Sequence, residues 1–303
     1  MEHFVDRLTA AIRRTGNAVC VGLDPRRKNL PAGLLPANEN TLGAVANAYA
    51  RFCNGVSDVL AALVPIAKVQ AAFFEELGAP GMQAMAEVID HARSRGLLVI
   101  VDAKRNDIGS TAEAYARGYL GAESAWHADA LTVSPYLGDD SLAPFVDVAR
   151  QRNAGIFVLV KTSNPGGRML QDLQSSGQTI YARVAAHVES LSRATPGECG
   201  YGPIGAVVGA TYPGQLAELR QAMPHTWFLV PGYGSQGGTA ADVAPAFDQN
   251  GLGAIINNSR GLIFAHERPE FAGRLAAEWQ RAIEAATHEM IDGLHSAGCF
   301  PRP

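Results

Sequence analysis

The sequence is poor in the features that mark secreted, membrane and nucleic-acid-binding chains. It has four cysteines in 303 residues (Cys20, Cys53, Cys199 and Cys299), widely spread and with no CxxC pair. That spacing excludes a dense disulfide framework and fits a reducing cytosol. The longest uninterrupted apolar run, Val59 to Ala67, covers about half a membrane span. The opening Met-Glu-His-Phe-Val-Asp-Arg-Leu lacks the apolar stretch of a signal peptide. Charge of one sign is scarce as well: 25 Lys+Arg stand against 29 Asp+Glu, for a net charge of −4. Such a balance leaves no footprint for nucleic acid. Together these absences predict a soluble, cytoplasmic chain with neither nucleic acid nor membrane as partner. A phosphorylated small molecule stays compatible, because a local cationic site can sit on an acidic surface.

What is present is a foldable, turn-rich composition. The chain is 47% hydrophobic, which excludes disorder, and its 32 Gly and 17 Pro supply many tight turns. Short β-branched apolar runs end in polar residues or Gly and are followed by longer Ala-rich stretches of helical spacing. Eight such runs occur: Val19–Leu23, Val64–Val69, Leu97–Val101, Ala130–Val133, Ile156–Val160, Ile204–Val208, Trp227–Val230 and Ala254–Ile256. Near-continuous apolar runs are how parallel strands read when both faces are covered. Helices are expected over Leu42–Leu63, Gly81–Arg95, Thr111–Ala122, Ser141–Arg152, Thr179–Ala194, Pro213–Met223, Ala240–Asp248 and Arg268–Leu294. This alternation predicts an α/β fold, a (β/α)8 TIM barrel in a single domain spanning residues 1–303. Residues 19–261 would form its motif-bearing core, followed by a C-terminal helix and tail over 268–303. A doubly wound open sheet is the alternative.

Barrels carry their chemistry at the C-terminal ends of strands. Those ends read Asp24, Lys68, Asp102 with Lys104, Ser134, Ser163, Gly209, Gln236 and Arg260. Period-two alternation puts Leu98, Ile100, Asp102 and Lys104 on one face, apolar below and charged above. Lys68, above Ile66, would lie beside Asp102, and Asp107 falls in the following loop. The expected result is an alternating chain of Lys68, Asp102, Lys104 and Asp107. A structural ion-pair network could look the same, but buried pairs cost desolvation and stabilise weakly. Flanking carboxylates favour the ammonium form of a lysine, which suits a proton donor rather than an amine nucleophile. The carboxylates could instead hold Mg²⁺, although the adjacent lysines already supply positive charge. No HExxH or Cys/His ligand set appears, and none of the eight histidines forms a convincing triad.

At the far end of the chain, Pro231-Gly232-Tyr233-Gly234-Ser235-Gln236-Gly237-Gly238 follows strand seven and Asn257-Asn258-Ser259-Arg260-Gly261 follows strand eight. Barrels frequently bind phosphate in these two loops. Glycines would let backbone N–H groups approach an anion, and Arg260 would add bidentate charge-assisted bonds. Gly232-x-Gly234-x-x-Gly237 also matches a dinucleotide fingerprint. It lies in the seventh unit rather than a leading βαβ, and strand eight ends without an acidic ribose ligand.

Asp102-x-Lys104-x-x-Asp107-Ile108, with Lys68 upstream and Gly22-Leu23-Asp24 at strand one, resembles the orotidine 5′-phosphate decarboxylase family, and within it the longer bacterial subgroup, type 2. Asp-x-Lys-x-x-Asp alone is shared with sugar-phosphate decarboxylases and hexulose-phosphate synthases of the same superfamily. Lys161-Thr162-Ser163-Asn164-Pro165-Gly166 and Gln236 extend the likeness, which spans residues 19 to 261. The resemblance implies decarboxylation of orotidine 5′-monophosphate to UMP and CO₂ without metal or organic cofactor. It makes Lys104 the acid that protonates C6 and sets Asp102 against the substrate carboxylate. Asp24, Lys68 and Thr111 would bind ribose hydroxyls, Ser163 the pyrimidine, Gln236 both pyrimidine and phosphate, and Arg260 the phosphate. Asp107 and Thr111 would come from a neighbouring subunit, implying a homodimer with shared active sites. Residues 25–40 and 168–179 match least and receive no role. A Mg²⁺-dependent sugar-phosphate decarboxylase or aldolase is the second reading, and a phosphate-binding barrel without turnover the third.

Overall fold

A computed structural model of the chain describes residues 2–36, 38–234, 236–272 and 278–300. Eight parallel strands close a barrel: β1 (Val19–Leu23), β2 (Ile66–Gln70), β3 (Leu98–Arg105), β4 (Ala130–Val133), β5 (Gly155–Lys161), β6 (Gly202–Val208), β7 (Thr226–Val230) and β8 (Ala254–Asn258). Each strand pairs with its sequence neighbours, and β1 pairs with β8 to close the ring, Val19 opposite Ile256. The open-sheet alternative is therefore excluded, because no barrel strand is left at an edge. Below their C-terminal tips the strands are largely apolar, because their outer faces meet the helical layer and their inner faces meet one another. Trp227, Phe228 and Phe157 are all buried in this core.

The expected helices form with small shifts at their ends, over Leu42–Leu60, Gly78–Ser94, Gly109–Leu120, Ala143–Arg152, Ile180–Arg193 and Pro213–Ala222. Thr41 and Thr179 cap two of them, each hydroxyl accepting from a backbone N–H three residues on. The expected Ala240–Asp248 helix is one α-turn, Ala240–Val243, followed by a 3₁₀ turn, since Pro245 supplies no N–H to continue the ladder. The expected Arg268–Leu294 helix is two pieces, Pro269–Ala272 and Trp279–Ser296. Residues 273–277 of that span, Ser235 and the last three residues of the tail lie outside the described residues.

Among the elements outside the sequence-based expectation, the N-terminal helix is the longest. A helix over Phe4–Thr15 covers the N-terminal end of the barrel and stops where Gly16 turns left-handed at φ 66°. Its Phe4, Leu8 and Ile12 are buried at helical spacing. Phe4 meets Phe157 edge-on, ring centroids 6.2 Å apart. The same ring fills the space a Cβ on Gly155 would need, 2.4 Å from its ideal position. This plug leaves the opposite, C-terminal mouth as the place for a ligand.

Phe4→Ala should empty that plug and cost about 3 kcal/mol of unfolding free energy, as for other buried Phe truncations. Urea denaturation would show a lower midpoint at unchanged slope. A shift worth less than about 1 kcal/mol would mean the plug is dispensable.

Candidate active site

The C-terminal ends of the strands surround a cavity of about 450 Å³. Asp24, Lys68, Asp102, Lys104, Ser163, Gln236 and Arg260 all line it. Its charged lining comprises the cations Arg26, Lys68, Lys104 and Arg260 and the carboxylates Asp24 and Asp102. Cations are thus in excess, the composition expected of a pocket for an anion.

Asp102 organises the floor. Its Oδ1 accepts from Lys104 Nζ at 2.6 Å and from the Thr132 hydroxyl at 2.9 Å, and its Oδ2 lies 2.9 Å from Lys68 Nζ. Lys68 Nζ lies 3.6 Å from Asp24 Oδ1 and donates to Gln70 Oε1 at 3.2 Å. Burial by itself would push the Asp102 carboxyl up, but Lys68 and then Lys104 outweigh it and hold it well below the usual carboxylate range. Burial would likewise favour a neutral Lys68, yet Asp102 and Asp24 raise its ammonium above the ordinary lysine value. The two lysines differ in freedom. The Lys68 side chain is 6% exposed and locked, whereas that of Lys104 is 46% exposed.

The local backbone explains how Lys104 reaches this position. The β3–β4 register shifts between Val101 and Arg105, and Lys104 takes φ 49°, a left-handed conformation uncommon for a side-chain-bearing residue. Its N–H donates to the Thr132 hydroxyl at 2.9 Å. Beyond the bulge, Arg105 is tied to Glu75 and to the Tyr119 hydroxyl. Asp102 and Lys104 thus meet through an irregular strand rather than simple alternation.

The expected ion chain needs one correction. Asp24 joins it at the β1 end, and Asp107 does not join it. Asp107 sits past the end of β3, partly exposed, and its Oδ1 accepts from the N–H of Ile108 at 2.8 Å. Thr111, on the exposed first turn of the next helix, is also absent from the cavity lining. At the tip of strand four, Thr132 lines the cavity and Ser134 does not.

On the opposite wall, Gly209 lets the β6 tip approach the β5 loop. A Cβ there would lie 2.7 Å from Ser163 Cα. Thr211 donates to the Ser163 carbonyl at 3.0 Å. The segment given no role, 168–179, clamps this loop. Gln171 Oε1 accepts from Thr162 N–H at 3.1 Å, and its Nε2 donates to the Thr162 hydroxyl at 2.8 Å. Asp172 pairs with the buried ammonium of Lys161 at 2.5 Å, which also lies over the rings of Tyr181 and Tyr212. In the glycine-rich loop, Gly232 turns at φ 102°. The N–H groups of Gly234, Gly237 and Gly238 donate to carbonyls of the loop itself, at 2.8, 2.8 and 3.1 Å. Those amides are engaged rather than presented to an anion, so Arg260 and its cationic neighbours carry more of the charge.

Sequence reasoning missed Arg26, Gln70 and Thr132, all of which line the cavity. A usable signal existed for two of them: Arg26 and Gln70 lie two residues beyond Asp24 and Lys68, the strand period. Asn257 also lines the cavity, and its buried Oδ1 has no hydrogen-bond partner among the described residues. Among the described residues, no group of three or more His, Cys, Asp and Glu side chains is arranged to hold a metal ion. No helix among them is long and apolar enough to cross a membrane.

A lysine–carboxylate chain at the tips of the first three strands shares its cavity with an arginine after the eighth, the site of a barrel enzyme built for a small anionic substrate. Residues 17–275 match the orotidine 5′-phosphate decarboxylase / HUMPS family, and the chain belongs to it. The orotidine 5′-phosphate decarboxylase of Rhodopirellula baltica is 57% identical over 97% of this chain and 99% of its own length. That of Deinococcus radiodurans is 45% identical over 88% and 90%. The OMP decarboxylase structure from Leishmania donovani superposes with a TM-score of 0.76 at 34% identity, covering 97% of this chain and 98% of its own.

Because Asp102 is depressed in the folded state, its ionised form contributes stability above the ordinary carboxyl value of 3.8, and that contribution is lost as pH falls below it. Asp102→Asn removes this dependence. Below about pH 4 the urea midpoint of the wild-type protein should therefore fall more steeply than that of the variant. Parallel curves would show that Asp102 ionisation does not support the fold.

Proposed function

We propose that the chain decarboxylates orotidine 5′-monophosphate to UMP and CO₂ in pyrimidine biosynthesis, using its own side chains and neither metal nor organic cofactor. The observation that carries this reading is the Asp24–Lys68–Asp102–Lys104 chain on the floor of a cation-rich cavity. The substrate would enter with its phosphate toward Arg260 and Gln236, its pyrimidine against Ser163 and its ribose over Asp24 and Lys68. Its carboxylate would then face Asp102, which Lys68 keeps ionised. Cleavage of the C6–CO₂ bond leaves the electron pair on C6, and Lys104 Nζ delivers a proton there. The ammonium, preorganised by its bond to Asp102, also stabilises the developing carbanion. Departure of CO₂ moves the negative charge from the carboxylate to C6, the proton from Lys104 neutralises it there, and the half-exposed Lys104 regains its proton from solvent. A carboxylate pair binding Mg²⁺ fits this floor less well, because both Asp102 oxygens already accept from or pair with lysines. The four free cysteines suit a cytoplasmic setting.

Asp107 and Thr111 complete the reading only in a dimer. Beside them Ile108 is 57% and Tyr115 37% exposed, while Tyr136 and Leu137 after β4 are 73% and 47% exposed. An apolar rim of this kind suits a second copy of the chain. It would deliver Asp107 and Thr111 to the neighbouring cavity.

Lys104→Ala should abolish loss of orotidylate absorbance while leaving UMP binding measurable, and EDTA should leave the wild-type rate unchanged. Substantial turnover by the variant would remove the proton-donor role; inhibition by EDTA would favour the metal-dependent alternative. Mixing inactive Lys104→Ala with inactive Asp107→Ala subunits should restore about a quarter of wild-type activity, because each mixed dimer holds one intact shared site. No recovery after subunit exchange would place Asp107 in its own subunit's site or outside the chemistry.

A further inference from the structure

Asp24-Pro25-Arg26 carries the chain out of β1 beside β8, the strand that ends before Arg260. Arg26 and Arg260 both line the mouth cavity, and both also line a second opening of about 460 Å³ on its outer side. Both spaces thus share these two arginines, which leave neighbouring strand tips. Arg26 is held in place from one face: its guanidinium carbon lies 5.2 Å from the centroid of the Phe73 ring. Its Nε is buried, with no hydrogen-bond partner among the described residues.

The carboxylates of this region are engaged elsewhere. Asp24 turns to Lys68 at 3.6 Å. Glu267 accepts from Asn29 Nδ2 at 2.8 and 3.0 Å. Glu270 and Glu289 pair with Arg268 at 2.6 and 2.7 Å. Two arginines at neighbouring strand tips are thus left without an ion-pair partner among the described residues, an arrangement that an anion between them would relieve. A phosphate monoester suits it in charge and in geometry: two negative charges for two cations, and oxygens for two donor forks. In the glycine-rich loop the amides of Gly234, Gly237 and Gly238 are bonded within the loop, which leaves more of that requirement to the arginines.

We propose that Arg26 is a second phosphate-binding arginine, closing on the substrate phosphate across from Arg260, with Phe73 as the positioning residue that holds its guanidinium plane. This rests on the nucleotide reading above. It gives the 25–40 segment a role that its sequence did not reveal.

Calorimetric titration with UMP and with uridine tests the assignment without requiring turnover. In Arg26→Gln, UMP affinity should fall by about tenfold or more while uridine affinity stays within about twofold, since only the phosphate loses a charge-assisted partner. Arg26→Lys should recover part of the loss, and Phe73→Leu should weaken UMP by about two- to fivefold with uridine unaffected. An unchanged UMP affinity in Arg26→Gln, or equal losses for UMP and uridine, would overturn the role of Arg26 and leave the decarboxylase reading intact. A wild-type protein that binds UMP no better than uridine would remove the phosphate site, and both readings with it.

Discussion

The arrangement at the barrel mouth depends on one buried carboxylate. Asp102 receives Lys104 and Thr132 on one oxygen and Lys68 on the other. A lone carboxylate in such a place would be costly to ionise, so its partners are a condition of its charge. Those partners come from β2, β3 and β4, and Asp24 extends the chain to β1. One carboxylate therefore ties three strand tips together directly and a fourth through Lys68.

The same interaction divides the labour of the two lysines. Lys68 is buried between two carboxylates, which favour its ammonium form and hold it in position. Lys104 is bonded to Asp102 but half exposed, on a backbone held left-handed by the β3 bulge. Lys104 thus keeps both reach and contact with solvent, as its proposed role as proton donor would require. Away from this floor, the chain's net charge of −4 is misleading as a guide to ligands. The cavity concentrates four cations against two carboxylates, which is where an anionic nucleotide would be recognised.

Much of the fold is legible in the pattern of apolar runs. All eight strands lie where β-branched residues cluster, because strands covered on both faces have no polar side to interrupt them. Element ends are less legible: β3 runs on through Asp102 to Arg105, since backbone pairing continues after the side chains turn polar. The Phe4–Thr15 helix carried a readable spacing of Phe4, Leu8 and Ile12, but nothing in that spacing says that Phe4 enters the barrel floor against Phe157. The 168–179 segment receives no role from its sequence, and its clamping of Thr162 depends on a turn that brings Gln171 back to the end of β5.

By itself the sequence determined the eight-fold alternation, the charged residues at the tips of the first three strands, the arginine after the eighth, and the family these define. Such features repeat with short periods or belong to contiguous motifs, so local order is enough to read them. Only the tertiary structure decided that Asp24 rather than Asp107 completes the lysine–carboxylate chain within one subunit. It also decided that Lys104 reaches Asp102 through a bulge, and that Arg26 faces the same cavity as Arg260. Each of these depends on register across strands far apart in sequence. Periodicity tells which face a side chain takes, whereas closure of the barrel decides which other side chains share it.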